Sequence, residues 1–200
     1  TNPAEFKDSL IETQLMAVIP KLNDQENSES FKQSIENLFL NITTNLKIKN
    51  INTESKLILL TSPTPENGKS FVSRSLSRSI AALGSRVLLL DVDWKRGDQH
   101  KDLNRKKITI AEFEDLSKDN IEKYKISENF YLIPKITQLD SSFQYIYSSK
   151  FIEKLSFLKS EFDYLVLDTA PILSVSDTSV LMTYSDINIL LTRHGQTRIN

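Results

Sequence analysis

Three short stretches carry the residue types that handle phosphate. In the first, the apolar run Leu57-Ile58-Leu59-Leu60 passes through Thr61, Ser62 and Pro63 to Gly68-Lys69-Ser70. A turn closing on Gly-Lys-Ser at a helix start aims backbone N–H groups at an anion, adds one positive charge, and supplies a hydroxyl for Mg²⁺. The candidate cradle is Thr64, Pro65, Glu66, Asn67, Gly68, Lys69, Ser70 and Phe71. Pro63 stands where the G-x-x-x-x-G-K-[ST] frame has its first glycine, so only the second half of that frame is present. The second stretch ends Leu90-Asp91-Val92-Asp93, and the third ends Leu167-Asp168-Thr169-Ala170-Pro171. Along an extended strand Asp91 and Asp93 share a face, so both can address one site. An acid ending an apolar strand also serves as a helix cap or turn former, and Gly-Lys-Ser alone is an ordinary tripeptide. It is the conjunction that points to a Mg-nucleotide site, with Ser70, Asp91, Asp93 and Asp168 as hard oxygen donors.

These residues need a scaffold that brings strand tips together. The apolar runs predict strands at 57–61, 86–92, 130–133, 164–168 and 187–192. Helical spacing predicts helices at 70–83, near 109–116, at 149–158 and near 176–184, with Gly84 ending the first of these. Apolar strands alternating with helices imply an α/β fold with a mostly parallel central sheet covered on both faces. Ligands in such sheets bind beyond the carboxyl ends of the strands, where all three stretches end. Upstream, Phe31, Ile35, Leu38, Phe39, Ile42 and Leu46 predict an amphipathic helix from Ser30, with Ser30 and Gln33 as a capping box. Residues 15–20 read as a short edge strand and 21–29 as a polar linker. Residues 1–27 form a lead-in segment and 28–200 the domain.

Other candidates carry less. His100 and His194 are the only histidines and have no third ligand type beside them. Trp94 can stack on a ligand or anchor a half-buried loop. Lys95, Arg96, Lys101, Arg105, Lys106 and Lys107 form a basic run interrupted by Asp98 and Asp102, suited to a solvated loop, a polyanionic nucleotide or an acidic peptide. No G-x-S-x-G elbow supports Ser-His-Asp hydrolysis. The 200 residues suffice for one well-cored domain, and the formal net charge of −1 implies no bulk attraction to nucleic acid. The absence of cysteine excludes disulfides and thiolate chemistry. No apolar run approaches the ~20 residues that span a bilayer.

The three stretches occur in the order of Walker A, Walker A′ and Walker B motifs, and together they resemble the cytoplasmic domain of bacterial tyrosine kinases (BY-kinases) of the Wzc type. Ala17-Val18-Ile19-Pro20, the helix from Glu29, and Leu191-Thr192-Arg193-His194-Gly195-Gln196-Thr197 extend the likeness over most of the chain. The resemblance implies a P-loop domain that binds ATP and Mg²⁺ and transfers the γ-phosphoryl group to tyrosine. Lys69 and Ser70 would hold phosphates and metal, Asp91, Asp93 and Asp168 would be direct or water-mediated metal partners, and Asp93 would take the phenolic proton. Family members self-associate, phosphorylate a tyrosine-rich tail on a neighbouring subunit, and regulate capsular or exopolysaccharide export at the cytoplasmic face of the inner membrane. The same resemblance implies a membrane-embedded co-polymerase region, fused or separate, and a cognate phosphatase as partners.

This chain departs from the pattern at several points. The tyrosine-rich tail and the family's last strand and helix are not in the sequence, so it reads as a piece of a longer protein. The Glu-x-x-Arg-x-x-Arg motif that joins family subunits into a ring is Glu29-x-x-Lys32-x-x-Ile35 here. Asp98 follows Gly97 where some members carry a tyrosine, and 136–142 lacks the family's Pro-rich signature. Two other readings stand beside the kinase: a nucleotide-binding regulator without transfer, and a MinD-like ATPase. Against the latter, Thr64 occupies the position of the extra P-loop lysine.

Overall fold

The computed structural model describes residues 14–20, 29–48, 51, 55–137, 139 and 141–193. Its elements are α1 (Glu29–Ile48), β1 (Lys56–Thr61), α2 (Lys69–Ala82), β2 (Val87–Asp91), α3 (Gln99–Asp102), β3 (Ile108–Thr109), α4 (Ile110–Glu114), β4 (Lys125–Ser127), β5 (Phe130–Ile133), β6 (Ile136–Thr137), α5 (Ser142–Ile146), α6 (Ser149–Glu161), β7 (Tyr164–Asp168), α7 (Asp177–Leu181) and β8 (Ile187–Leu190). Six strands form one sheet in the order β4-β5-β2-β7-β1-β8, and every pairing is parallel except β4 with β5. β3 and β6 form a separate parallel pair.

The strands are apolar on both faces because both faces are covered. Leu57, Leu59, Leu88, Leu90, Leu165 and Leu167 point to one side, into a core with Phe113, Phe151, Leu155, Leu158 and Leu181 from α4, α6 and α7. Ile58, Leu60, Leu89 and Val166 point to the other, against Ile35, Leu38, Ile42 and Leu46 of α1 and Val72, Leu76 and Ile80 of α2. Truncating one of these fully buried leucines to alanine costs about 2–5 kcal/mol. The core therefore holds the strand tips in fixed register, with Leu60 of β1 and Asp91 of β2 both opposite Asp168 of β7.

Several expectations are corrected here. Residues 15–20 form no strand; Met16, Ala17 and Ile19 pack on the α1/α2 side, and Asn41 Nδ2 donates to the Met16 carbonyl, so a helix side chain takes the place of a strand partner. The first helix begins at Glu29, which puts Ser30 inside the first turn and removes the Ser30/Gln33 capping box. A capping box does occur at Thr109 and Glu112, opening α4. Ile35 is buried against α2, so that helix position presents no charge to a neighbour. Of the linker expected at 21–29, residues 21–28 lie outside the described residues, as does His194, and Glu29 belongs to α1 instead.

Candidate functional site

The phosphate loop follows β1 and acquires its shape from side-chain bonds to its own backbone. Ser62 Oγ donates to the Thr64 carbonyl at 2.8 Å, and Asn67 Nδ2 donates to the same carbonyl at 2.7 Å and to Thr64 Oγ1 at 3.0 Å. These bonds fold the Pro63–Pro65 stretch without the missing first glycine. Glu66 and Gly68 both take left-handed backbone angles, φ 65° and 84°, which turn the chain into α2. No side chain caps the N-terminus of α2. The first N–H groups of a helix lack intrahelical acceptors, so this end has donors that an anion can accept from.

Lys69 opens α2 and is buried, 7% exposed. Its Nζ lies 2.8 Å from Oδ1 of Asp168, which is fully buried at the tip of β7. Asp168 Oδ2 accepts from Gln99 Nε2 at 2.9 Å, so both carboxylate oxygens are engaged. One strand over, Asp91 is also fully buried, and its carboxyl pKa is pushed well above the ordinary range, first by burial and then by the charge of Asp168. Its Oδ2 accepts the Gln99 N–H at 3.2 Å and its Oδ1 the Asp93 N–H at 3.3 Å.

Asp93 reaches the site by a route other than the expected strand alternation. β2 ends at Asp91; the ladder gains one more bond, from Val92 N to the Asp168 carbonyl, and Asp93 then begins a turn. Asp93 Oδ1 accepts the Arg96 N–H at 2.9 Å, and the Asp93 carbonyl accepts the Gly97 N–H at 2.6 Å. The turn folds back so closely that a Cβ on Gly97 would lie 2.6 Å from Cγ and Oδ2 of Asp91. Because Asp91 is buried and bonded on both oxygens, it has no room to yield, and glycine is required there.

Gln99 went unrecognised in the sequence. It is fully buried, and its amide nitrogen also reaches the Ser70 carbonyl at 2.8 Å and Ser73 Oγ at 3.1 Å. Arg74 donates to its Oε1 at 3.1 Å and pairs with Asp102, which fixes the amide orientation. Gln99 thus ties α2 to the tip of β7 through its side chain and to the tip of β2 through its backbone N–H. Nothing in its residue type signals this; its place two residues after Gly97 is the only sequence cue.

The remaining candidates fall around this centre. Trp94 is half-buried, packing edge-on against Phe151 with ring centroids 6.3 Å apart, as an anchor would. His100 is buried and its pKa is lowered, chiefly by burial and then by Lys107, so it is neutral at pH 7. Lys135 donates to the Lys95 carbonyl at 2.7 Å, and its own pKa is lowered, mainly by burial, although Asp91, Asp93 and Asp98 oppose the shift. Among the described residues no three His, Asp or Glu side chains form a metal nest by themselves.

The AAA domain family model matches residues 55–196. The chain is 29% identical over 139 residues to tyrosine-protein kinase Wzc of Salmonella typhimurium, covering 68% of this chain and 19% of that protein. It is 26% identical over 148 residues to tyrosine-protein kinase Ptk of Acinetobacter johnsonii, covering 72% of this chain and 20% of that one. It spans about a fifth of the length of these relatives. The kinase domain of the Escherichia coli tyrosine kinase Etk superposes with a TM-score of 0.72 at 23% identity, over 97% of this chain and 75% of that chain, a likeness of fold.

Proposed function

The chain belongs to the AAA domain family, as a domain of the bacterial tyrosine kinase kind, and on that premise we propose that it transfers the γ-phosphoryl group of Mg-ATP to tyrosine. The observation that carries the reading is the buried Lys69–Asp168 pair, directly opposite buried Asp91 on the neighbouring strand and beside the uncapped end of α2. A lysine held by an acid at the mouth of a phosphate loop has a ready alternative partner in an incoming phosphate.

In the proposed reaction the backbone N–H groups of Thr64 and of residues 66–71 orient the phosphates, and Lys69 exchanges Asp168 for the outer ones. Gln99 keeps Asp168 aligned when Lys69 leaves. Mg²⁺, arriving with the nucleotide, would neutralise phosphate charge; Ser70 would hold it, with Asp91, Asp93 and Asp168 contacting it directly or through water. A phenol with pKa ~10 is a poor nucleophile at neutral pH. Asp93, at the turn next to Asp91, takes the phenolic proton as the tyrosine oxygen bonds to the γ-phosphorus and the bond to the departing ADP oxygen breaks.

The wider setting belongs to the same proposal: a tyrosine-rich tail on a neighbouring subunit as acceptor, a membrane-embedded co-polymerase region, an opposing phosphatase, and control of capsular or exopolysaccharide export from the cytoplasmic face of the inner membrane. No described helix is long and apolar enough to cross a membrane. The test is transfer of radiolabel from γ-labelled ATP to a tyrosine-bearing peptide. Lys69→Met should lower it by about 10²–10³-fold, the scale for losing one preorganised charge-stabilising donor. Full activity in that variant would remove Lys69 from the mechanism. ATP turnover without phosphotyrosine in the unaltered chain would favour the ATPase reading, and nucleotide binding without turnover the regulator.

A further inference from the structure

Beyond the nucleotide residues, a groove of about 460 Å³ opens between the turn after β2 and the segment after β5, lined by Trp94, Lys95, Lys135, Thr137, Leu139 and Ser141 among others. The order of the strands decides what it can serve. The phosphate loop follows β1, the carboxylates sit at the tips of β7 and β2, and Lys135 follows β5. With neighbouring strands about 4.8 Å apart, β1 and β5 lie roughly 15 Å apart. The groove is therefore on the far side of the carboxylates from the phosphate loop, and Trp94 in its wall is the next residue after Asp93.

Its lining suits an aromatic side chain within a polar, negatively charged segment. Trp94, Leu139 and Ile136 supply apolar surface, and Thr137, Ser141 and Ser142 supply hydroxyls. The buried Trp94 indole N–H has no acceptor among the described residues, an unmet donor beside the groove. Two lysines, Lys95 and Lys135, are among the lining residues. The two acids of the basic run are already engaged, Asp98 by Lys101 and Asp102 by Arg74. Lys95, Arg96, Lys106 and Lys107 have no carboxylate partner among the described residues, and all four are exposed.

We infer that this groove is the acceptor site, and that it selects a peptide whose tyrosine is flanked by Asp or Glu: Lys95 and Lys135 meet the acids while the ring lies along Trp94 with its hydroxyl toward Asp93. The inference rests on the kinase reading for its purpose but can be tested by binding alone. Two fluorescein-labelled peptides, identical except for Glu or Lys flanks and carrying Phe in place of the acceptor Tyr, are titrated with the full chain in Mg-ADP and followed by anisotropy. The Glu-flanked peptide should bind at least about tenfold tighter at low salt. Lys95→Glu/Lys135→Glu, shown folded by circular dichroism, should reverse the preference. In the labelled-ATP assay with the Tyr forms, that variant should raise KM for the Glu-flanked peptide about tenfold and leave KM for ATP unchanged. Equal affinity for the two peptides, absence of binding, or a preference untouched by charge reversal would overturn the groove. Competition by inorganic phosphate as effective as by the Glu-flanked peptide would also overturn it, making the site a phosphate site. Selective peptide binding without phosphoryl transfer would leave the groove standing and remove the kinase reading instead.

Discussion

The central strands end in two charged clusters, and the clusters are built on opposite terms. At the amino ends of β2 and β7, Arg86 is enclosed by partners. Its guanidinium lies 4.9 Å from the Tyr131 ring centroid and 4.8 Å from that of Phe162, and it donates to Glu122 at 2.8 Å and to the Glu161 carbonyl at 2.9 Å. At the carboxyl ends, buried Lys69 pairs with Asp168, while buried Asp91 and Asp93 have no ion-pair partner among the described residues. Charge at one end is balanced by ion pairs and ring faces; at the other, carboxyl groups outnumber the cations paired with them. The same sheet thus carries a clamp and a site, and the difference between them is the balance of partners.

That contrast can be broken most sharply at Gly97. Gly97→Ala puts a methyl against the Asp91 carboxylate. It should lower phosphoryl transfer by about 10²-fold, the scale on which an ångström of misplacement costs rate. The check is labelled transfer per folded molecule, with the folded fraction read by circular dichroism. At the opposite end, Arg86→Ala should destabilise the chain by about 1–3 kcal/mol, from lost cation–π contacts and charged hydrogen bonds. In urea denaturation the midpoint should drop, while transfer per folded molecule stays the same.

The smallest expected effect has the opposite sign. The Asp91 pKa is raised in the fold by burial and by Asp168. A carboxyl whose folded pKa exceeds its unfolded value costs nothing when both states are protonated, and begins to cost stability as the pH rises through the unfolded value. Asp91→Asn should therefore raise the melting temperature at pH 7, with the gain shrinking as pH falls through the ordinary carboxylate range. Thermal melts across that range check it; a loss of stability at pH 7 would mean that Asp91 is compensated as well as Arg86 is.

Much of this arrangement was legible because it rests on local pattern. The apolar runs of β1, β2, β5 and β7 stand out by composition, and the observed β5 and β7 coincide with the strands expected at 130–133 and 164–168. The acidic tips follow from where those runs stop. What escaped depends on meetings between distant segments. Gln99 matters only because α2, β2 and β7 converge on it. β3 and β6 are two residues each, too short to show any period, yet they shape the groove wall through Ile136 and Thr137. The edge strand expected at 15–20 failed for a related reason, since alternation alone cannot say whether a partner strand is at hand.

Asp93 is where the proposed chemistry is most exposed to contradiction. Asp93→Asn keeps the side chain's shape and an oxygen for the Arg96 N–H, and removes only the capacity to take a proton. Phosphotyrosine mass spectrometry on the variant after incubation with Mg-ATP and a tyrosine-bearing peptide is the most direct measurement. Loss of phosphotyrosine with nucleotide affinity retained is the predicted result. Phosphotyrosine at the level of the unaltered chain would contradict a proton-accepting Asp93, and with it the kinase site at these strand tips.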